Sequence, residues 1–214
     1  MKGGVFMEQQ SLPRWTDWAR ELQALAQAGL EYSKDPFDRE RFQRIRDISA
    51  EMVAEGAQLP LERVKTLFCG ESGYQTPKLV VRAAVIREGQ ILLVQERNGL
   101  WALPGGWVDE DQSVASNTVK EVMEEAGIQV RPLRLIAVQD RDRHHPTPYL
   151  YGVCQLFVLC EALGGGFVPN LETLGSGWFS PASLPPLDLD KTTSEQIALC
   201  FTAHADPNWT VPFD

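Results

Sequence analysis

The stretch GWVDEDQSVASNTVKEVMEEAGI, residues 106–128, decides the fold. Its second half, Val114 to Ala126, predicts a helix, and Gly127 is placed to stop it with a left-handed cap. Glu121, Glu124 and Glu125 relate as i, i+3 and i+4, so they share one helix face with Cβ atoms ~5–6 Å apart. Ala115, Val119, Val122 and Ala126 fall on the opposite side and offer an apolar stripe for burial. The expected helix therefore lies apolar side down and presents three carboxylates outward. Like charges that close repel by ~0.2–0.5 kcal/mol per pair in water. A divalent cation reverses that sign, and hard oxygen ligands suit Mg²⁺ or Mn²⁺. An isolated ExxEE is more often a solvated acidic face, so its surroundings decide.

Those surroundings read as alternating strand and helix. Leu79 to Ile86 is a dense, β-branched apolar run, Glu88-Gly89-Gln90 a hairpin turn, and Ile91 to Gln95 the return strand. Trp101 to Val108 contains the turn Pro104-Gly105-Gly106. Further strands are expected at Arg134–Gln139, Val153–Glu161 and Gly177–Phe179, and a last helix at Ser194–Ala203. The whole predicts an α+β fold with a mixed sheet covered by helices. Ahead of it, residues 15–68 read as helical. Trp15, Trp18, Leu22 and Leu25 form one stripe, and Phe42, Ile45, Ser49, Met52 and Val53 form another. Pro60 opens a third helix carrying Leu61, Val64, Leu67 and Phe68. Helices this short bury little alone, so they should pack on the rest of the chain or on a second subunit.

The Gly-Gly turn, acidic helix and following glycine together resemble the Nudix box: Gly, five residues, Glu, seven residues, then Arg-Glu-apolar-x-Glu-Glu-x-Gly-apolar. Gly106 opens it, and Lys120, Glu121, Val122, Glu124, Glu125, Gly127 and Ile128 fill its second half in register. The resemblance implies an α/β/α sandwich over residues 76–205, a helical N-terminal domain over 1–70 serving as a dimerisation element, and a C-terminal tail over 206–214. It implies metal-dependent hydrolysis of a nucleoside diphosphate linked to a group X. Glu121, Glu124 and Glu125 would be the metal ligands and catalytic residues, with Glu121 the candidate base. Two positions depart from the box. Gln112 stands for its first Glu and Lys120 for its Arg, residues that brace the loop and orient the glutamates. Lys120 keeps the charge but loses the bidentate fork.

Softer motifs place the chain near one branch. Ala26-Gln27-Ala28-Gly29-Leu30-Glu31-Tyr32, Tyr74-Gln75-Thr76-Pro77-Lys78, Arg82, Asp140-Arg141-Asp142-Arg143-His144 and Asn170-Leu171-Glu172-Thr173 resemble the branch that includes CDP-choline pyrophosphatase. Its members are often labelled ADP-ribose pyrophosphatases. CDP-choline is the leading substrate implied, and ADP-ribose the nearest rival. Val80, Gln155 and Gly175 depart from that branch's usual residues, which weakens substrate transfer. RNA 3′-end processing and a non-catalytic nucleotide sensor are the remaining alternatives.

Arg82, Arg141, Arg143, His144 and Glu172 are the substrate-binding candidates. A basic cluster between two strands can grip a diphosphate, or it can be a solvated hairpin neutralised by Asp140 and Asp142. His144 and His145 lack a third soft ligand nearby, which disfavours a metal role. Trp101, Trp107 and Phe157 could stack on a base, but aromatics beside a Gly-rich turn are more often core.

The formal net charge is −9, and residues 76–214 hold 10 basic against 17 acidic side chains. That balance disfavours long nucleic acids as partners. No apolar run approaches the ~20 residues of a membrane helix. The N-terminus carries no apolar core of a secretory leader, so a cytoplasmic location is expected. Cys69, Cys154, Cys160 and Cys200 form no CxxC pair and read as reduced, partly buried thiols.

Overall fold

The computed structural model describes residues 13–147 and 149–214, so the first twelve residues of the expected 1–70 domain lie outside the described residues. The chain divides into two compact units, one comprising residues 1–77 and 147–152, the other 78–146 and 153–214. The division falls at Pro77 rather than at residue 70, and the first unit takes in a short segment from the middle of the chain.

Among its described residues the first unit holds three helices: α1 (Arg14–Tyr32), α2 (Pro36–Gly56) and α3 (Leu61–Phe68). Asp35 caps α2 by accepting from the Phe37 and Asp38 amides, with Pro36 at the first helical position. Ala19, Ala50, Val53, Val64 and Phe68 form the core, and Leu150 from the inserted segment packs against it. Of the stripe expected on α1, Trp15 packs against this core and Leu22 is half-buried. Trp18 is 49% exposed and Leu25 59%, while Thr16, Ala19, Gln23, Ala26 and Gln27 face inward. The inner face works because its amides are satisfied. Gln23 donates to the Phe68 carbonyl (3.1 Å) and to Gln27 (3.1 Å), and Gln27 donates to the Gly73 carbonyl (2.9 Å).

The second unit is a six-stranded mixed sheet between helices. Its strands are β1 (Lys78–Arg87), β2 (Gln90–Glu96), β3 (Trp101–Ala102), β4 (Ile128–Asp140), β5 (Val153–Gly165) and β6 (Thr173–Phe179). Their order is β3-β2-β1-β5-β4, with β6 also paired to β2. β1 and β5 run parallel, with Val81 opposite Leu156, and every other pair is antiparallel. Helix α4 (Val114–Ala126) covers one face through Val122 and Ala126. Helix α6 (Ser194–Ala205) covers the other through Ile197, Cys200 and Ala203. The short helix α5 (Arg141–His144) stands where a plain loop was expected. The parallel centre is buried on both faces, as its continuous apolar runs require.

Two expectations need correcting here. Ala115 is exposed, so the apolar stripe of α4 begins later than its spacing implied. β4 begins at Ile128 rather than Arg134, interrupted by register shifts around Pro132. Residues 206–214 are tied down on it. Val138 donates to the Pro212 carbonyl (3.1 Å), Asp214 donates to the Val138 carbonyl (3.3 Å), and the Trp209 indole donates to the Ile136 carbonyl (2.8 Å). This added chain protects an otherwise open strand. All four cysteines are free thiols, and burial pushes Cys160 and Cys200 up to about 12. Among the described residues, no helix is long and apolar enough to cross a membrane.

Gly127 joins α4 to β4 at φ 68°, and a Cβ there would meet the Gly166 carbonyl oxygen at 2.2 Å. Replacing Gly127 with Ala should cost about 1–3 kcal/mol from the backbone conformation alone, before the clash is added. Urea unfolding of the two proteins checks this, and equal midpoints would contradict it.

Candidate active site

The 104–108 segment runs along β1. Ala83 donates to the Pro104 carbonyl (2.8 Å), Val81 to Gly106 (3.0 Å), and Val108 to Leu79 (3.0 Å). The approach is so tight that a Cβ on Gly105, at φ 143°, would lie 2.1 Å from the Val81 carbonyl oxygen. Arg82, buried beneath the turn, donates to the carbonyls of Leu103 (3.2 Å) and Gly105. Its position therefore makes it a brace of the turn.

Helix α4 is capped by a reciprocal Ser113–Ser116 box and by Gly127, so its register over this turn is fixed at both ends. The Gly105 amide donates to a Glu125 carboxylate oxygen (2.8 Å). Glu121 lies against Gly106, where a Cβ would stand 2.7 Å from its Oε2. The three glutamates are thus not all presented outward. Glu121 is 8% exposed and Glu125 6%, and Glu124 alone of the three is exposed. The i and i+4 members turn into the glycine turn, Glu125 accepting from the Gly105 amide and Glu121 lying against Gly106, while the i+3 member stays exposed. Asn117 completes the packing. It donates to the Trp107 carbonyl (3.0 Å), lies 3.5 Å from Glu121 Oε1, and accepts from the Asp109 amide (3.2 Å).

Burial pushes the Glu125 carboxyl up to about 7. The charges of Glu96 and Glu121 add to the rise, while Arg82 and the Gly105 amide oppose it. Burial also raises Glu121, with Glu124 and Glu172 adding and Lys120 and Arg82 opposing. Glu172 therefore belongs to the same neighbourhood. Its amide donates to the Asn170 side chain (2.9 Å), which shapes the loop that carries it. Glu96 was not foreseen. It ends β2 at a register shift and is paired with Lys191 at 2.6 Å. Its one sequence signal is a carboxylate closing an otherwise apolar strand, a weak cue in a turn region.

The donor set, carboxylate oxygens of which two are buried against the glycine turn and one is exposed, fits a hard divalent cation. Among the described residues, no three His, Cys, Asp or Glu side chains form a ready-made metal cage.

The basic candidates lie elsewhere in this unit, each engaged by a carboxylate. Arg141 is buried and pairs with Asp190 (3.3 Å) and Asp142 (3.7 Å). Arg143 pairs with Asp140 (3.9 Å) and His144 with Asp214 (2.6 Å). His145 is a buried hub. Its Nδ1 donates to the Leu189 carbonyl (2.7 Å), and its Nε2 meets the Gln155 amide (2.8 Å) and the Gln196 amide (3.1 Å). Gln112 contributes a backbone bond to the Asp109 carbonyl (3.0 Å). Phe157 is fully buried core, Trp101 stacks edge-on with Phe179 at 4.8 Å, and Trp107 remains partly exposed.

Comparison with known proteins places both parts of the chain in one family. Residues 76–200 match the NUDIX domain, and residues 13–68 match a domain described as UDP-X-like, N-terminal oligomerisation. YjhB of Bacillus subtilis is 40% identical over 202 residues, covering 94% of this chain and 97% of that protein. The crystal structure of an ADP-ribose pyrophosphatase from Streptococcus suis is 52% identical, covering 65% of this chain and all of that one, with a TM-score of 0.62. A UDP-X diphosphatase structure is 31% identical, covering 94% and 98% of the two chains, with a TM-score of 0.59.

Burial holds His145 below its ordinary 6.5, aided by the charges of Arg141 and Arg82 and opposed by its hydrogen bonds to Leu189 and Gln155. The unfolded chain takes up that proton first. The stability from His145 is therefore complete above pH 6.5 and is lost as pH falls through the window below it. The stability gap between the wild type and His145→Gln should narrow from pH 8 to pH 5 in urea titrations. A gap independent of pH would contradict a neutral buried imidazole.

Proposed function

Because this chain belongs to the Nudix hydrolases and is a pyrophosphatase by class, we propose that it cleaves the diphosphate bond of a small nucleoside diphosphate linked to X, with Mg²⁺ or Mn²⁺ as cofactor. The observation that carries this reading is the placement of Glu121 and Glu125, both turned into the Gly105–Gly106 turn, with Glu124 beside them. Glu121, Glu124 and Glu125 are the residues that would hold the ion. When bound, it would neutralise phosphate oxygens and lower the pKa of a bound water.

The chain's own residues supply the rest. Water adds to one phosphorus, the bridging P–O bond breaks, and two monophosphates leave. The water's proton goes to a carboxylate, for which Glu121, held by Asn117, is the first candidate and Glu172 the second. Gly105 and Asn117 fix the carboxylates before substrate arrives, so positioning and charge stabilisation dominate the rate. Of the basic cluster only Arg143 and His144 reach solvent and would grip the substrate's anionic part, whereas Arg141 is buried on Asp190 and Asp142 and holds the loop instead.

Within this class ADP-ribose stands ahead of CDP-choline, because the Streptococcus suis relative with 52% identity is an ADP-ribose pyrophosphatase. CDP-choline rests on the softer motifs, including Tyr74-Gln75-Thr76-Pro77-Lys78. The helical unit is proposed to pair with a second copy. Exposed Trp18, Leu25 and Tyr32 support this, as does the oligomerisation domain matched over residues 13–68.

Incubation with Mg²⁺ or Mn²⁺ and, in turn, ADP-ribose, CDP-choline, a UDP-sugar and a short RNA should release monophosphates from the small substrates, fastest from ADP-ribose. Glu124→Gln, at an exposed position that spares the fold, should lower turnover by roughly 10²–10⁴-fold. A full rate in that variant would remove the metal assignment. Light scattering should give twice the 23.9 kDa chain mass, and Trp18→Glu should shift it toward the single chain. A monomeric wild type at micromolar concentration would exclude the pairing.

A further inference from the structure

Lys120 stands within ion-pair reach of two helix carboxylates, and three acidic groups compete for it. Its ammonium stands 2.7 Å from Asp109, 3.6 Å from Glu124 and 3.9 Å from Glu121. Asp109 alone of these is at hydrogen-bond distance. That choice is not the one the helix would make by itself. Lys120 and Glu124 are i and i+4 on α4 and would normally pair. A lysine is a compact point charge on a flexible stem with no fixed fork, so its resting place is set by whichever carboxylate holds it best. Asp109 is well placed to do so, because its own backbone is fixed. Its amide donates to Asn117 (3.2 Å), and Asn117 donates to the Trp107 carbonyl (3.0 Å) and reaches Glu121 at 3.5 Å. Gln112, which closes the same turn through its amide bond to the Asp109 carbonyl (3.0 Å), is neutral and cannot hold an ammonium in this way.

We propose that Asp109 is a positioning residue that parks the Lys120 ammonium on the loop and thereby keeps Glu121 and Glu124 open to a divalent cation. Without Asp109 the nearest anions are those two glutamates. The ammonium would then settle on the oxygens that the divalent ion needs, as a resident monovalent competitor. This inference rests on the metal-dependent reading given above, but it concerns binding and can be read without turnover.

The test is Mn²⁺ binding to the full-length protein, measured from the loss of the free-ion electron paramagnetic resonance signal. Asp109→Asn should weaken Mn²⁺ by roughly 10–100-fold, the range for outer residues that orient metal ligands. Adding Lys120→Met to that variant removes the competitor and should recover most of the lost affinity. Asp109→Glu should stay near the wild type. Thermal melts confirm that each variant is folded, as expected for an exposed loop residue. Unchanged Mn²⁺ affinity in Asp109→Asn overturns the proposal. So does a double variant as weak as Asp109→Asn, because Asp109 would then act only through the shape of the loop. A wild type that binds no Mn²⁺ overturns the metal reading itself, a result distinct from either of these.

Discussion

Burying a carboxylate is costly unless something meets its charge, and this fold turns two of them, Glu121 and Glu125, inward on one helix. What meets them is a glycine turn. Gly105 offers its amide to Glu125, and Gly106 leaves the space that Glu121 occupies. The turn can do so only because the 104–108 segment hydrogen-bonds along β1, itself held on its other edge by β5. Sheet, turn and helix are therefore one construction, and a side chain at Gly105 or Gly106 would break it.

The glycine amides do not neutralise the site completely. Glu125 stays raised to about 7 even with Arg82 and Gly105 working against the rise. The three nearby cations are each occupied. Arg82 is bound to loop carbonyls, Lys120 to Asp109, and Lys191 to Glu96. A diphosphate would add further negative charge to this neighbourhood. The cation of the metal-dependent reading proposed above would offset that charge.

The parts of this molecule that follow local rules were legible in the sequence. The bounds of α4, its left-handed Gly127 cap and the β1–β2 hairpin all follow from spacing and turn chemistry. The orientation of Glu121 and Glu125 was not legible, because i, i+3, i+4 spacing says which residues share a face but not which side the loop occupies. β4 was shortened because Pro132 and alternating charges hide a strand that tolerates irregularity. Glu96, Lys191 and His145 were missed as a site and a hub because their partners lie far away in the sequence. Lys191 reaches Glu96 from the loop before α6, and His145 meets Gln155 and Gln196 from different elements.

Helix α1 shows the same lesson with its sign reversed. Its largest apolar side chains make a helical stripe, and spacing alone leaves open whether that stripe packs on the rest of the chain or on a second subunit. Yet glutamines fill the inner face because each amide finds a carbonyl or another amide, and alanines let the helices approach. Once polar groups are satisfied inside, hydrophobicity no longer decides which face turns in; shape does. Trp18 and Leu25 are too large for the space that Ala19 and Ala26 occupy, so they are left outside. An outward stripe of that size keeps its apolar surface in water unless something covers it. The second copy proposed for this unit follows from that packing, and its apolar seam would be the outward part of the stripe, Trp18 and Leu25.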